Sequence, residues 1–159
     1  MPCNREEWDE CSDEMTSLCA FASTKTIIPE EFIRDRIDID NPLEGYQMRH
    51  ELGGWLQGFI LWTTFTTWTH YLKWDLSHAK SGIRNVQTNE DLSMELEEQP
   101  RSGDPLQKGV IWPTIAEISI VGGLKCGSYL MRLAENDILE KNYDYIVLQA
   151  TQSSQKFYE

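Results

Sequence analysis

The stretch AEISIVGGLKCGSYLMRLAENDILEKNYDYIVLQATQSSQKFYE, residues 116–159, decides the fold. It reads as strand, glycine loop, helix, strand and the start of a second helix. Residues 115–121 read as a strand, followed by the loop Gly122-Gly123-Leu124-Lys125-Cys126-Gly127. Over residues 128–141, Leu130, Leu133, Ala134, Ile138 and Leu139 recur at helical spacing. Residues 145–150 read as a second strand, and residues 152–159 as the opening of a further helix. A strand–helix–strand unit of this length is a right-handed crossover, so its strands are expected to be parallel neighbours or nearly so. A glycine loop that opens a helix right after a strand is also a place to bind phosphate. Backbone N–H groups point outward there, and the helix dipole favours an anion.

Upstream, residues 54–75 form the strongest β region, dense in Trp, Phe, Thr and Ile. The run exceeds an ordinary strand, so a bent or bulged strand, or two strands, is expected. Leu56, Ile60, Trp62, Trp68, Leu72 and Trp74 mark one face, and Phe59, Leu61, Phe65 and Tyr71 the other. Both faces look covered, as in a central strand of a sheet flanked by helices. Pro29-Glu30-Glu31 has the signature of a helix start, with proline at the first helical position. That helix is expected to run through Arg36 and stop before Asn41-Pro42. Residues 6–21 have helical character. Residues 82–109 are polar, acidic and broken by Pro100, Gly103 and Pro105, and read as a long loop. A flexible acidic insertion at 84–108 is the expectation.

A length of 159 residues points to one domain with a sizeable core. The net charge of −12, from 14 basic and 26 acidic residues, argues against direct nucleic-acid binding, which needs basic surface. It permits a basic partner, while solubility alone also accounts for it. Residues 53–71 are apolar enough to raise a membrane question. Gln57 and five Thr in that run reject a spanning helix, so no membrane partner is expected. The N-terminus is acidic and lacks an apolar core, so no signal peptide is visible. Cys3, Cys11, Cys19 and Cys126 form no CxxC pair. Reduced thiols, no metal, and an intracellular location, cytoplasmic or nuclear, are expected.

Residues 115–159 resemble the GNAT superfamily, the acetyl-CoA-dependent N-acyltransferases; the earlier residues match only by element order. The resemblance implies an α/β (α+β) fold: a mixed, largely antiparallel central sheet with flanking helices. In that family a strand leads into a Q/R-x-x-G-x-G/A loop that holds the CoA pyrophosphate at a helix N-terminus. Gly127 takes the last glycine position here. Gly122 stands where Gln or Arg is expected, Lys125 replaces the middle glycine, and the loop is several residues short. Lys125 offers a point charge for phosphate. The implied acetyl-CoA-binding set is Ile120, Val121, Gly122, Gly123, Leu124, Lys125, Cys126, Gly127 and Ser128. Backbone groups near residues 118–121 would bind the acetyl carbonyl and the pantetheine arm. A plain strand-to-helix turn, with glycines for tight packing, is the other reading of the loop.

Ala116-Glu117-Ile118 is similar to the strand of the histone-acetylating branch, where a Glu here is the general base. A lysine amine is mostly protonated at neutral pH and must lose a proton before it attacks a thioester. A carboxylate set among apolar residues suits the task of a general base, and Glu117 sits among Ile115, Ile118 and Ile120. An outward-facing strand Glu, solvated or salt-bridged, fits the alternation equally. Phe157-Tyr158-Glu159 resembles the family helix whose Tyr protonates the departing thiolate, and Gln149-Ala150 fits the preceding strand end. A packed ring with a hydrogen-bonded hydroxyl is the other reading of Tyr158.

The resemblance thus implies transfer of acetyl from acetyl-CoA to a primary amine, on a basic peptide or a polyamine. Two alternatives stand beside it. One is a GNAT-like module retained for binding without catalysis. The other is a half-domain completed by a partner, because the chain stops before the family's last strands. An incomplete sheet leaves an edge open to pairing with a second copy as a homodimer.

Overall fold

The computed structural model describes residues 3–22, 28–52, 54–69 and 89–149. Three helices come first: α1 (Arg5–Glu10), α2 (Ser12–Ala22) and α3 (Glu30–Ile39). Strands β1 (Glu44–Arg49) and β2 (Leu56–Thr67) follow, then helix α4 (Asn89–Glu97). Strands β3 (Ser102–Asp104) and β4 (Gly109–Gly123), helix α5 (Gly127–Glu140) and strand β5 (Tyr145–Leu148) complete the order.

The sheet is mixed and largely antiparallel, in the order β1-β2-β4-β3, with β5 also on β4. β4 is its central strand. One edge pairs antiparallel with β2 along its length. The other edge takes β3 at Gly109–Ile111 and β5, in parallel, at Ile115–Ile118. The strand–helix–strand reading is therefore correct in both order and direction. Among the described residues, positions 119–123 of β4 have no ladder partner on the β5 side.

Two irregularities interrupt the β2–β4 ladder. Leu61 pairs with Ile120 and Trp62 with Ile118, so Ser119 is an extra residue, a β-bulge. Thr64 pairs with Ala116 and Phe65 with Trp112, so residues 113–115 are looped out. Pro113 lies there, and a residue without an N–H cannot carry a ladder bond.

Helices cover both faces. On one, Trp8, Met15, Leu18, Ile33 and Ile37 of α1–α3 pack on Phe59, Leu61 and Ile120. On the other, Leu130, Ala134 and Ile138 of α5 pack on Ile60, Trp62, Ala116 and Ile118. Burying each large side chain of this kind stabilises the fold by about 1.5–3 kcal/mol. Leu92 and Leu96 of α4 close a third cluster with Val110, Trp112 and Ile115.

Local chemistry sets several boundaries. Asn4 and Glu7 form a capping box at α1: the Asn4 side chain accepts from Glu7 N at 2.9 Å, and the Glu7 carboxylate accepts from Asn4 N at 2.8 Å. α3 ends at Ile39, before Asn41-Pro42 as expected, but Pro29 is its N-cap rather than its first residue. The helix expected over 6–21 is two helices, broken at Cys11, whose N–H turns back to Asp9 O. The expected loop over 82–109 is corrected: residues 89–97 are helix and 102–104 strand, because Leu92 and Leu96 find an apolar seat under the polar surface. Gly122 and Gly123 belong to β4 rather than to a loop. The expected strand through residue 75 is seen to Thr67; Tyr71, Leu72 and Trp74 lie outside the described residues. Among the described residues, no helix is long and apolar enough to cross a membrane.

Candidate functional site

The candidate site is the gap in pairing that follows the last β4–β5 ladder pair among the described residues. The strands pair as far as Ile118 and Leu148, and the bulge follows at Ser119. From there to Gly123, the β4 backbone on that side is committed to no strand among the described residues. A bulge re-aims side chains as well as ending a ladder. Upstream of it, Ala116 and Ile118 face α5; downstream, Ile120 faces α1–α3. The apolar side chain of Ile120 is thus buried in the core, and only its backbone is available to the gap.

At the far end of the gap the chain turns into α5. Lys125 is exposed and holds a left-handed backbone, φ +63°. The resemblance places a glycine there, and this is the conformation that favours glycine. Leu124 N donates to Gln57 O at 2.9 Å and fastens the turn to β2. Cys126 is the N-cap of α5, yet its side chain makes no cap bond. Its thiol faces inward and donates to Gln57 O at 3.5 Å, and burial raises its pKa. No acidic residue occupies the first turn of α5. Gly127, Ser128 and Tyr129 therefore present N–H groups that the helix geometry leaves without an intrahelical acceptor. This donor set, with Lys125 beside it, is chemically suited to a phosphate.

Gly122 and Gly123 have a packing reason. A Cβ on Gly122 would stand 2.8 Å from the Phe59 ring, and one on Gly123 2.9 Å from Cys126 Sγ. Their role in the fold is close approach, not a left-handed turn.

Glu117 lies on β4 just before the bulge, one strand across from Thr63. It is not simply a carboxylate among apolar residues. Arg36, from α3, donates through Nη2 to Glu117 Oε2 at 3.0 Å. The same Nη2 donates to Ser119 Oγ at 2.8 Å, and Ser119 Oγ donates to Asp40 Oδ2 at 2.6 Å. Arg36 Nε and Asp40 Oδ1 form an ion pair at 3.2 Å. The Asp40 side chain is 3% exposed, against 17% for Glu117. Burial pushes the Asp40 carboxyl up, with Arg36 and Ser119 pulling the other way. Arg36 meets Glu117 through one oxygen only, and Oε1 has no donor among the described residues. The buried Thr63 hydroxyl is also without a partner among them.

The structure thus brings Ile120 through Ser128 into one continuous segment, with Glu117 three residues ahead of it. Tyr158, Phe157 and Ala150 lie outside the described residues. Sequence reasoning missed Arg36, Asp40, Ser119 and Thr63. The i,i+4 spacing of Arg36 and Asp40 at a helix end was a visible signal, but it points to a local pair, not to β4. Among the described residues, no cluster of His, Cys, Asp and Glu is arranged to hold a metal ion.

No protein-family model matches this sequence, and no curated protein matches it. Among solved structures, the chain is similar to the ribosomal-protein-alanine N-acetyltransferase from Brucella melitensis biovar Abortus 2308. The TM-score is 0.50 at 11% identity, covering 100% of this chain and 85% of that one. A Trypanosoma brucei acetyltransferase matches at TM-score 0.49 and 10% identity, covering 100% of this chain and 87% of that one. At 11% identity the first likeness is one of fold: a mixed sheet with flanking helices.

Proposed function

We propose that this protein is an N-acetyltransferase that moves an acetyl group from acetyl-CoA to a primary amine, a lysine in a basic protein tail or a polyamine. One observation carries the reading. Among the described residues the parallel β4–β5 ladder stops one residue before a bulge in β4, and a helix N-terminus without a side-chain cap follows the unpaired stretch. A long thioester substrate would find there β4 backbone that no described strand pairs, for its amide-bearing arm, and a seat for its pyrophosphate. The fold likeness to an N-acetyltransferase supports the same reading. The net charge of −12 suits a cationic acceptor.

The residues would divide the work as follows. Lys125 and the N–H groups of Gly127 and Ser128 hold the pyrophosphate. Backbone groups of residues 119–123 hold the arm. Glu117 takes a proton from the acceptor ammonium through Oε1, while Arg36 fixes Oε2. The freed nitrogen attacks the thioester carbonyl, and backbone N–H groups near residues 118–121 meet the oxyanion. The C–S bond then breaks, the leaving thiolate takes a proton from Tyr158, and the acylated nitrogen sheds its second proton, which restores the phenol through solvent.

Calorimetric titration with acetyl-CoA tests the reading. Binding is expected, and no heat at millimolar ligand on folded protein overturns it. Glu117→Gln is expected to lower kcat by about 10²–10⁴-fold with acetyl-CoA binding intact. A second reading, a binding module without catalysis, is favoured by the packing role of Gly122 and Gly123. It predicts no acetyl transfer to any amine and no change in ligand binding in Glu117→Gln.

A further inference from the structure

We propose that Arg36 and Asp40 are positioning residues: together they clamp the β4 bulge at Ser119 and so fix the gap between β4 and β5. Its functional half rests on the acetyl-CoA reading above.

A bulge residue is the weakest point of a ladder, because the extra residue has no partner across the strand pair. Here that residue is held by its side chain. Ser119 Oγ accepts from Arg36 Nη2 at 2.8 Å and donates to Asp40 Oδ2 at 2.6 Å, so its hydroxyl works as donor and acceptor at once. The same guanidinium reaches Glu117 Oε2 at 3.0 Å. One cation thus grips two β4 residues that flank Ile118, the last residue paired with β5.

The clamp is anchored from behind. Asp40 is the C-cap of α3, and its N–H closes the helix on Arg36 O at 3.0 Å. Arg5 of α1 donates to the Asp40 carbonyl at 2.7 Å and to the Ile37 carbonyl. A carboxylate 3% exposed is costly unless its partners satisfy it. The partners here are one serine hydroxyl and one guanidinium, both committed to β4. The proposed chemistry uses Glu117 alone, so neither Asp40 nor Ser119 is needed for proton transfer. What they determine is where β4 leaves β5.

Ser119→Ala and Asp40→Asn test this, with Ser119→Thr as the variant that keeps the hydroxyl. Ser119→Ala removes one hydroxyl and keeps the fold, which circular dichroism checks. Amide hydrogen exchange in the full chain is read at residues 118–122, with α5 and β1 as internal controls. Exchange there is expected to accelerate about tenfold in Ala and Asn and to stay near wild type in Thr, as for loss of one charge-assisted hydrogen bond. KM for acetyl-CoA is expected to rise about tenfold. Unaltered exchange at 118–122 overturns the clamp whether or not the protein is active. Faster exchange with an unaltered KM, in an active wild type, overturns its role in substrate binding. If wild type neither binds nor turns over acetyl-CoA, the acetyltransferase reading fails, and exchange alone decides the clamp.

Discussion

Gly58 of β2 lies directly beneath Cys126 of the α5 N-cap: a Cβ built on Gly58 would stand 2.3 Å from the Cys126 sulfur and 2.9 Å from Leu130 Cδ1. No side chain fits between the helix start and the sheet. This contact, with Leu124 N bonded to Gln57 O, holds the turn into α5 against β2. Gly58→Ala is expected to cost about 1–3 kcal/mol by overpacking, read from urea denaturation. In a Cys126→Ala background the cost should fall by about 1 kcal/mol or more, because the nearer clash is gone. Equal costs in the two backgrounds would refute this packing account.

Lys125 separates stability from binding. Its φ of +63° strains a residue with a Cβ. Lys125→Gly is expected to keep or raise stability, by up to about 1 kcal/mol. The same change removes the cation beside the α5 N-terminus, so acetyl-CoA should bind more weakly. Thermal melting and calorimetry on one preparation check both signs. A lower melting temperature with unchanged affinity would contradict both halves.

Glu14 gives a pH dependence. Hydrogen bonds from Arg49, at 3.1 and 3.2 Å, hold its carboxyl below the ordinary value of 4.5, and Leu56 N adds another at 3.1 Å. A depressed folded pKa contributes stability that is present above the unfolded value and lost as pH falls through the folded one. Glu14→Gln should therefore lower the melting temperature at pH 7, and the difference from wild type should shrink as pH falls below about 4.5. A difference that grows on acidification would reverse the sign.

Tyr145 ties α4 to the sheet by donating to Glu95 Oε1 at 2.6 Å. That bond, with burial, pushes its phenol up to about 12. The neutral form is favoured in the fold, so this stabilisation is full below the ordinary value of 10 and is lost as pH rises towards 12. Tyr145→Phe is expected to cost about 1 kcal/mol at neutral pH. Proteolysis within 89–97 should quicken, while α5 stays protected. Alkaline absorbance titration should lose its latest tyrosine step.

The α5 crossover was legible because its signals are local: an Ile-rich strand, Gly127 at a helix start, and Leu130, Ala134 and Ile138 at one face. The end of α3 before Asn41-Pro42 was legible for the same reason. α4 was not, since its polar composition hides two leucines whose value depends on Val110 and Trp112. Gly122 and Gly123 drew attention as a loop, but their reason lies in Phe59 and Cys126 on other elements. Glu117 could be singled out by its strand; its partner Arg36, 81 positions away, could not. Burial and alternation are readable along a chain, whereas a contact between helix and sheet depends on register, and next to Glu117 the register shifts at a single residue.

That residue is Ser119, and its effect is one of phase. A strand alternates with a period of two, so one inserted position inverts every side chain after it. Ahead of Ser119, even-numbered residues Ala116 and Ile118 face α5; beyond it, even-numbered Ile120 faces the opposite layer. Substituting Ser119 loosens a clamp, but deleting it would turn Ile120 out of its core and carry Gly122 away from the Phe59 ring. The position therefore matters more than the side chain: β4 can exchange the residue at this point, but it cannot change the count.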